Sequence, residues 1–246
     1  MRQSYCEMIE AAGEKLRLPA YAVGSAMYFA HLFYASRSMG RNDRFLVATA
    51  SLYLASKVED PVRNVMEVVS TCFAHRHRGE PDAVRAFRED KGAQGALREG
   101  VLEAETALLH AIGFDFRVEQ PYPHLVEFVG VLGLAPERDP GARDAAQAAW
   151  ALLDDSRRTT LWLQYGAATL AASALMMACR LCKVEADWSP VWQAIGKDGR
   201  HHVADACSQL ADLYEPGACG DLHMCISHHD SNAATPGHGT PSVPTS

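Results

Sequence analysis

Apolar residues return every third or fourth position along most of the chain, and alternating β-branched runs are few, so the pattern predicts an all-α fold. Ile9, Ala12 and Leu16 share one face of a first helix, and Pro19 opens a second whose stripe includes Val23, Met27, Ala30 and Phe33. Asn42 or Asp43 can cap a third helix carrying Leu46, Ala50, Tyr53, Leu54 and Val58, which Pro61 helps to stop. Asn64 to Phe73 makes a short fourth helix. The stretch from His75 to Gly95 is polar, charged and broken by Gly79, Pro81, Gly92 and Gly95, and it reads as a surface excursion. A fifth helix with Leu102, Glu105, Leu108, Leu109 and Ile112 ends at Gly113, the residue type that tolerates a left-handed turn.

Pro121 and Pro123 mark a junction, after which helical periodicity resumes over 124–132, 142–158, 166–183 and 201–214. The alanine-rich segment from Val47 to Lys57 aligns with Leu170 to Arg180, and each ends in a cation. Small residues let neighbouring helices approach closely, so each segment suits the surrounded helix of its own bundle. Duplication explains the likeness, although buried alanine-rich helices also resemble one another without common origin. From Glu215 onward the chain is rich in Gly, Pro, Ser, Thr and His, which predicts a disordered tail.

A length of 246 residues admits one large domain or two of about 100 residues, each able to bury a core. The formal charge of −7, from 30 acidic against 23 basic residues, comes with no dense Lys/Arg block, so direct nucleic-acid binding is not expected. Cys6, Cys72, Cys179, Cys182, Cys207, Cys219 and Cys225 have no repeated spacing and read as reduced thiols. Met1 to Lys15 lacks the central apolar run of a signal peptide, so an intracellular chain is expected. The apolar stretch from Leu161 to Cys179 contains Gln164, Thr169 and Ser173 and reads as a buried helix, without membrane association.

Candidate chemistry is sparse. Cys219, His223, Cys225, His228 and His229 offer zinc-type ligands, but their spacing fits no recognised finger, and no metal site is assigned. His75 and His77 with Arg76 and Arg78 form a small basic patch, read as a solvated loop. A Gly-rich phosphate loop, a His-Glu-x-x-His pair and a nucleophile elbow are all missing, so neither catalytic residues nor a cofactor are expected.

Several separated motifs resemble the cyclin family. Ala48 to Pro61 is similar to the family segment small-x-x-Leu-x-Leu-Ala-x-Lys-x-Glu-acidic, and Leu108 to Phe114 is similar to Ile-Leu-x-x-Leu-Gly-Phe. Thr159 to Tyr165, Asp187-Trp188 and Asp198 to His201 resemble the transcription cyclins of the T and K types. The resemblance spans Arg2 to Tyr214. It implies two tandem five-helix cyclin folds, Met1 to Phe116 and Arg117 to Glu215, followed by a disordered C-terminal tail over 216–246.

The resemblance also implies a regulatory subunit, not an enzyme, that binds a cyclin-dependent protein kinase and activates it allosterically. Its expected partner kinase phosphorylates the C-terminal domain of RNA polymerase II during elongation, in the nucleus. Lys57 and Glu105 match the family positions that hydrogen-bond kinase backbone, with Leu54, Val58, Leu109 and Phe116 as an expected apolar pocket beside them. Independently of the family, Leu54, Lys57 and Val58 share a helix face by spacing, as Glu105, Leu108, Leu109 and Ile112 do. Arg2 to Cys6 is largely polar where cell-cycle cyclins carry a substrate-docking patch, so recruitment of short basic-hydrophobic motifs is not expected. Family members carry a further helix upstream of the point where this sequence starts, so contacts from such a helix are not expected here. A cyclin-fold general transcription factor module, touching DNA or polymerase without a kinase, is the alternative; the basic surfaces and zinc ribbon usual in that class are missing.

Overall fold

The computed structural model describes residues 2–60, 62–134, 140–196 and 198–214, and these form twelve α-helices and no strand. The first six are α1 Arg2–Lys15, α2 Ala20–Ser36, α3 Arg44–Val58, α4 Val65–Arg76, α5 Pro81–Glu89 and α6 Lys91–Ala111. The second six are α7 Pro121–Val131, α8 Pro140–Ser156, α9 Leu161–Gln164, α10 Ala167–Leu181, α11 Ser189–Ile195 and α12 Gly199–Ala211. None of these helices is long and apolar enough to cross a membrane. The expected tail, with its Cys and His residues, and the expected stop at Pro61 lie outside the described residues.

Local chemistry sets the helix ends. Asp43 is the cap of α3, its Oδ1 accepting from Phe45 N at 2.8 Å and Leu46 N at 3.4 Å. Asn64 caps α4 through Met66 N at 2.8 Å, and Asp90 caps α6 through Ala93 N at 2.9 Å. Pro121 falls in the first turn of α7, where the amide it lacks would have had no intrahelical acceptor. Gly113 closes α6 at φ 64°, with Phe114 N donating to Leu109 O at 3.1 Å and Gly113 N to His110 O at 3.3 Å.

Two hydrophobic clusters are organised around helices made of small residues. In the first, α3 packs against α1, α2, α4 and α6, with Ala48, Ser51, Leu52 and Ala55 fully or almost fully buried. In the second, α10 packs against α7, α8 and α12, burying Ala171, Ala172, Ser173, Ala174 and Ala178. Ser51 and Ser173 satisfy their buried hydroxyls by donating one turn back, to Val47 O at 2.8 Å and Thr169 O at 2.7 Å. The close packing extends to Gly13 of α1, where an added Cβ would stand 2.6 Å from Val23 Cγ2 of α2.

The stretch from His75 to Gly95 lies largely at the surface, as expected, but it is helical rather than irregular. It holds the end of α4, all of α5 and the start of α6, which begins at Lys91 rather than near Leu102. The reason is a small third cluster in which Phe87 and Val101 meet Ala50 of α3 and Val69 of α4. Phe87 stacks on Phe73 at 3.9 Å between ring centroids, and that burial holds α5 against the bundle despite its polar sequence.

The halves meet where α2 faces the turn between α8 and α9. His31 of α2 is buried and lies 2.9 Å from the carbonyl of Arg157 through Nε2. A carbonyl only accepts, so Nε2 carries the proton and Nδ1 accepts from the Tyr5 hydroxyl at 2.7 Å. Arg157 donates to Ala20 O at 3.3 Å, and Arg158 pairs with Glu10 at 2.6 Å. Burial pushes the His31 imidazole down from 6.5 to about 4.

Two outcomes are expected. Between pH 6.5 and 4 the unfolded chain binds the His31 proton and the folded chain does not, so stability is lost as pH falls through that window. The loss should reach about 3 kcal/mol near pH 4, and His31→Gln, which keeps the donor to Arg157 O, should remove that part of the slope in urea titrations; an unchanged slope would contradict the assignment. Phe87→Ala should cost about 3 kcal/mol of unfolding free energy, whereas a solvated loop would lose almost nothing.

Candidate functional site

Lys57 lies in the last turn of α3, where the helix dipole favours a cation. Glu105 lies in the middle of α6, and the packing of α6 on α3 sets the two side chains against each other as an ion pair. Glu105 is the deeper partner, its side chain 9% exposed against 35% for Lys57. The ammonium also sits over the Tyr53 ring, 4.4 Å from its centroid.

Glu105 Oε1 is buried and has the Lys57 ammonium as its partner. A carboxylate can accept several hydrogen bonds and an ammonium can donate three, so each member of the pair keeps capacity beyond the other.

The apolar residues expected around this pair are placed at different depths. Leu54 is 4% exposed and belongs to the first core, where Leu108 and Ile112 also lie, so it is floor and not contact surface. Val58 is 37% exposed at the end of α3. Leu109 and Phe116 are half-buried against the same core.

Other residues of the region did not figure in the sequence reading as site residues. Glu59 accepts from the buried Ser25 hydroxyl at 2.6 Å, and Ser25 in turn lies 3.4 Å from Gln120 Nε2, which ties the end of α3 to α2 and to the chain leading into α7. Asp60 follows at φ 42°, a left-handed position that Asp tolerates better than most residues. Tyr21, Val62 and Phe114 are exposed apolar or aromatic residues at 44%, 62% and 56%. Phe114 is flagged in sequence by the preceding Gly113, and Glu59 by its place in the Lys-x-Glu-acidic segment, but its bond to Ser25 depends on how α2 packs on α3. Groups of His, Cys, Asp or Glu able to hold a metal do not occur among the described residues.

Residues 1–117 match the family described as Cyclin, N-terminal domain. The chain is 31% identical over 217 residues to Cyclin-T1-4 of Arabidopsis thaliana, covering 87% of this chain and 39% of that protein. It is 28% identical over 246 residues to Cyclin pch1 of Schizosaccharomyces pombe, covering 98% of this chain and 69% of that protein. The chain thus spans about two fifths of the Arabidopsis relative's length. Among solved structures, a chain of the yeast RNA Pol II CTD kinase CTDK-1 complex superposes with a TM-score of 0.72 at 15% identity, covering 99% of this chain and 78% of that one. A chain of the CAK complex of Chaetomium thermophilum bound to ATP-gamma-S gives 0.65 at 15% identity, with coverage of 99% and 80%. These two likenesses establish the fold of the described helices.

The pair makes a prediction for the isolated chain. Lys57→Ala strands the Glu105 charge beside the core and should destabilise by about 1–3 kcal/mol. Glu105→Gln removes the charge itself and should cost less. Thermal and urea unfolding of both variants checks the order; a reversed order would mean that the carboxylate is satisfied without Lys57.

Proposed function

We propose, from the match of residues 1–117 to the Cyclin, N-terminal domain family and the likeness to T-type cyclins, that this chain is a cyclin and the regulatory subunit of a cyclin-dependent protein kinase. The Lys57–Glu105 pair carries the reading: a charged couple at the α3–α6 contact, on the two positions that match the family's kinase-binding residues, with donor and acceptor capacity left over on both side chains. A kinase segment laid across the pair would donate a backbone N–H to Glu105 and offer a carbonyl to Lys57. Val58, Leu109 and Phe116 would meet its apolar side chains.

The chain contributes contacts, and the phosphoryl transfer belongs to the kinase. A protein kinase is active when a Glu on its mobile regulatory helix pairs with its phosphate-binding Lys, and an outside protein can hold that helix inward. Moving the kinase from 1:99 to 99:1 in favour of the active form requires a preference of about 5.5 kcal/mol. A contact of ordinary size, roughly 1,600 Å² in total, with a few buried anchors suffices.

The substrate reading is the C-terminal domain of RNA polymerase II, which places the work of the complex in the nucleus and in transcription. It is supported by the T-type likeness and by the kinase complex whose chain shares this fold. Two successive cyclin folds, over 1–116 and 117–215, complete the proposal, the first making the kinase contact.

The test uses the internal pairing of the site. Lys57→Glu combined with Glu105→Lys preserves an intramolecular ion pair but reverses what each position offers a partner. The doubly substituted chain should melt within a few degrees of the parent and recover at least about tenfold less kinase activity from native extract. Undiminished kinase recovery by the folded variant would sink the proposed interface. Salt-sensitive binding to bare DNA with no associated kinase would favour the transcription-factor alternative.

A further inference from the structure

The basic residues between His75 and Arg88 take no part in the Lys57–Glu105 surface. The end of α4, the turn after it and α5 enclose an open groove of about 440 Å³. Its floor is apolar, formed by Ala74, Pro81 and Val84, and its rim is made of His77, Arg78, Arg85 and Arg88. Pro81, Val84, Arg85 and Arg88 recur at i, i+3, i+4 and i+7, so they share one face of α5. The opposite side of α5 carries Phe87, buried and stacked on Phe73, which also stacks on His77 at 4.4 Å. The groove therefore stands on a packed aromatic frame.

The charges on the rim are unevenly used. Arg78 reaches His75 Nε2 at 3.4 Å, and His77 lies 3.4 Å from the Glu80 carboxylate. Among the described residues, neither Arg85 nor Arg88 forms an ion pair. Asp82 and Glu89 also lie on α5, turned to the flank beyond Arg85. Neighbouring Arg76 is already engaged, pairing with Asp43 at 3.2 Å and covering the Phe45 ring. Asp82 and Glu89 stand three and four residues from Arg85, so the positive excess is confined to the groove lining, where Arg78, Arg85 and Arg88 occur without a carboxylate.

We propose that this groove docks a phosphorylated peptide. Guanidinium forks suit a phosphate dianion, and Arg78, Arg85 and Arg88 all line this groove. The apolar floor takes the side chain next to the phosphorylated residue, a proline or a small aliphatic. A short groove with an apolar floor suits peptide better than RNA, because the nearby rings of Phe73 and His77 are stacked on each other and offer no platform for a base. The choice of peptide rests on the proposed kinase role: a repeat of the polymerase tail already phosphorylated by the partner. Holding one such repeat keeps its unmodified neighbours close to the kinase and raises their effective concentration.

The experiment is fluorescence anisotropy of a two-repeat tail peptide, phosphorylated or unmodified, with the whole chain at about 0.1 M salt. The phosphorylated peptide should bind at least about tenfold tighter, and Arg85→Gln with Arg88→Gln should abolish that difference while leaving the melting temperature unchanged. Equal affinity for the two peptides, or undiminished binding to the variant, overturns the proposal. Tighter binding of single-stranded RNA that depends on the same arginines overturns it in favour of nucleic acid. Kinase recovery is measured on the same proteins: kinase bound without phosphopeptide preference refutes the groove alone. If neither protein recovers kinase, the regulatory role fails, and the anisotropy still decides the groove.

Discussion

Close packing around α3 is the constraint on which the rest of the first half depends. Its buried face is Ala48, Ala50, Ser51 and Ala55, with Leu52 and Leu54 as the larger members. With so little side chain in the way, α1, α2, α4 and α6 all approach one helix, and α6 settles at a fixed register along it. Leu46 touching the position of Gly100 and Lys57 meeting Glu105 are two points of that register. A bulkier residue at Ala50, which packs with Val101 of α6, would displace α6 and disturb the charged pair. The proposed contact surface is thus a by-product of core geometry.

The same constraint explains why the halves are joined by polar contacts. α2 is apolar on nearly every side, and the surface it turns to the second half holds Ser25 and His31, both buried. Each is satisfied by a group reached only through the fold: Ser25 by Glu59 and Gln120, His31 by Tyr5 and the Arg157 carbonyl. Directional bonds of this kind fix an orientation that apolar contact alone would leave loose. They also connect the end of α3 to the second half, since Glu59 is two residues beyond Lys57.

The parts of this molecule that were legible in sequence are those decided locally. Asp43 and Asn64 cap helices through backbone amides two or three residues away, and Gly113 ends α6 through its own φ. The central roles of α3 and α10 were visible because small residues suit few positions other than a surrounded helix. What was not legible depends on partners distant in sequence. Gly79, Pro81, Gly92 and Gly95 argued for a loop, and the burial of Phe87 against Phe73 outweighed them. Spacing put Leu54 on the face of Lys57 and Val58, but α6 covers the inner turn and leaves only the outer one exposed. Lys57 and Glu105 were each expected to reach outward, and their pairing with each other is a property of how two helices cross.

That pairing bears on how charge is distributed between the two proposed contact surfaces. At the α3–α6 site the cation and anion are matched within the chain, so salt screens little net charge there and specificity comes from hydrogen-bond geometry. At the α4–α5 groove Arg85 and Arg88 form no ion pair within the chain, although Asp82 and Glu89 stand near Arg85 on α5, so an anionic partner held there would be released by salt. A matched pair suits a stable subunit contact, where a wrong register leaves the remaining capacity of both side chains unmet. An unmatched cationic rim suits a segment that must arrive and leave repeatedly. The two surfaces belong to the same half of the chain and share the core helix α3, yet they differ in the physical term that would govern affinity.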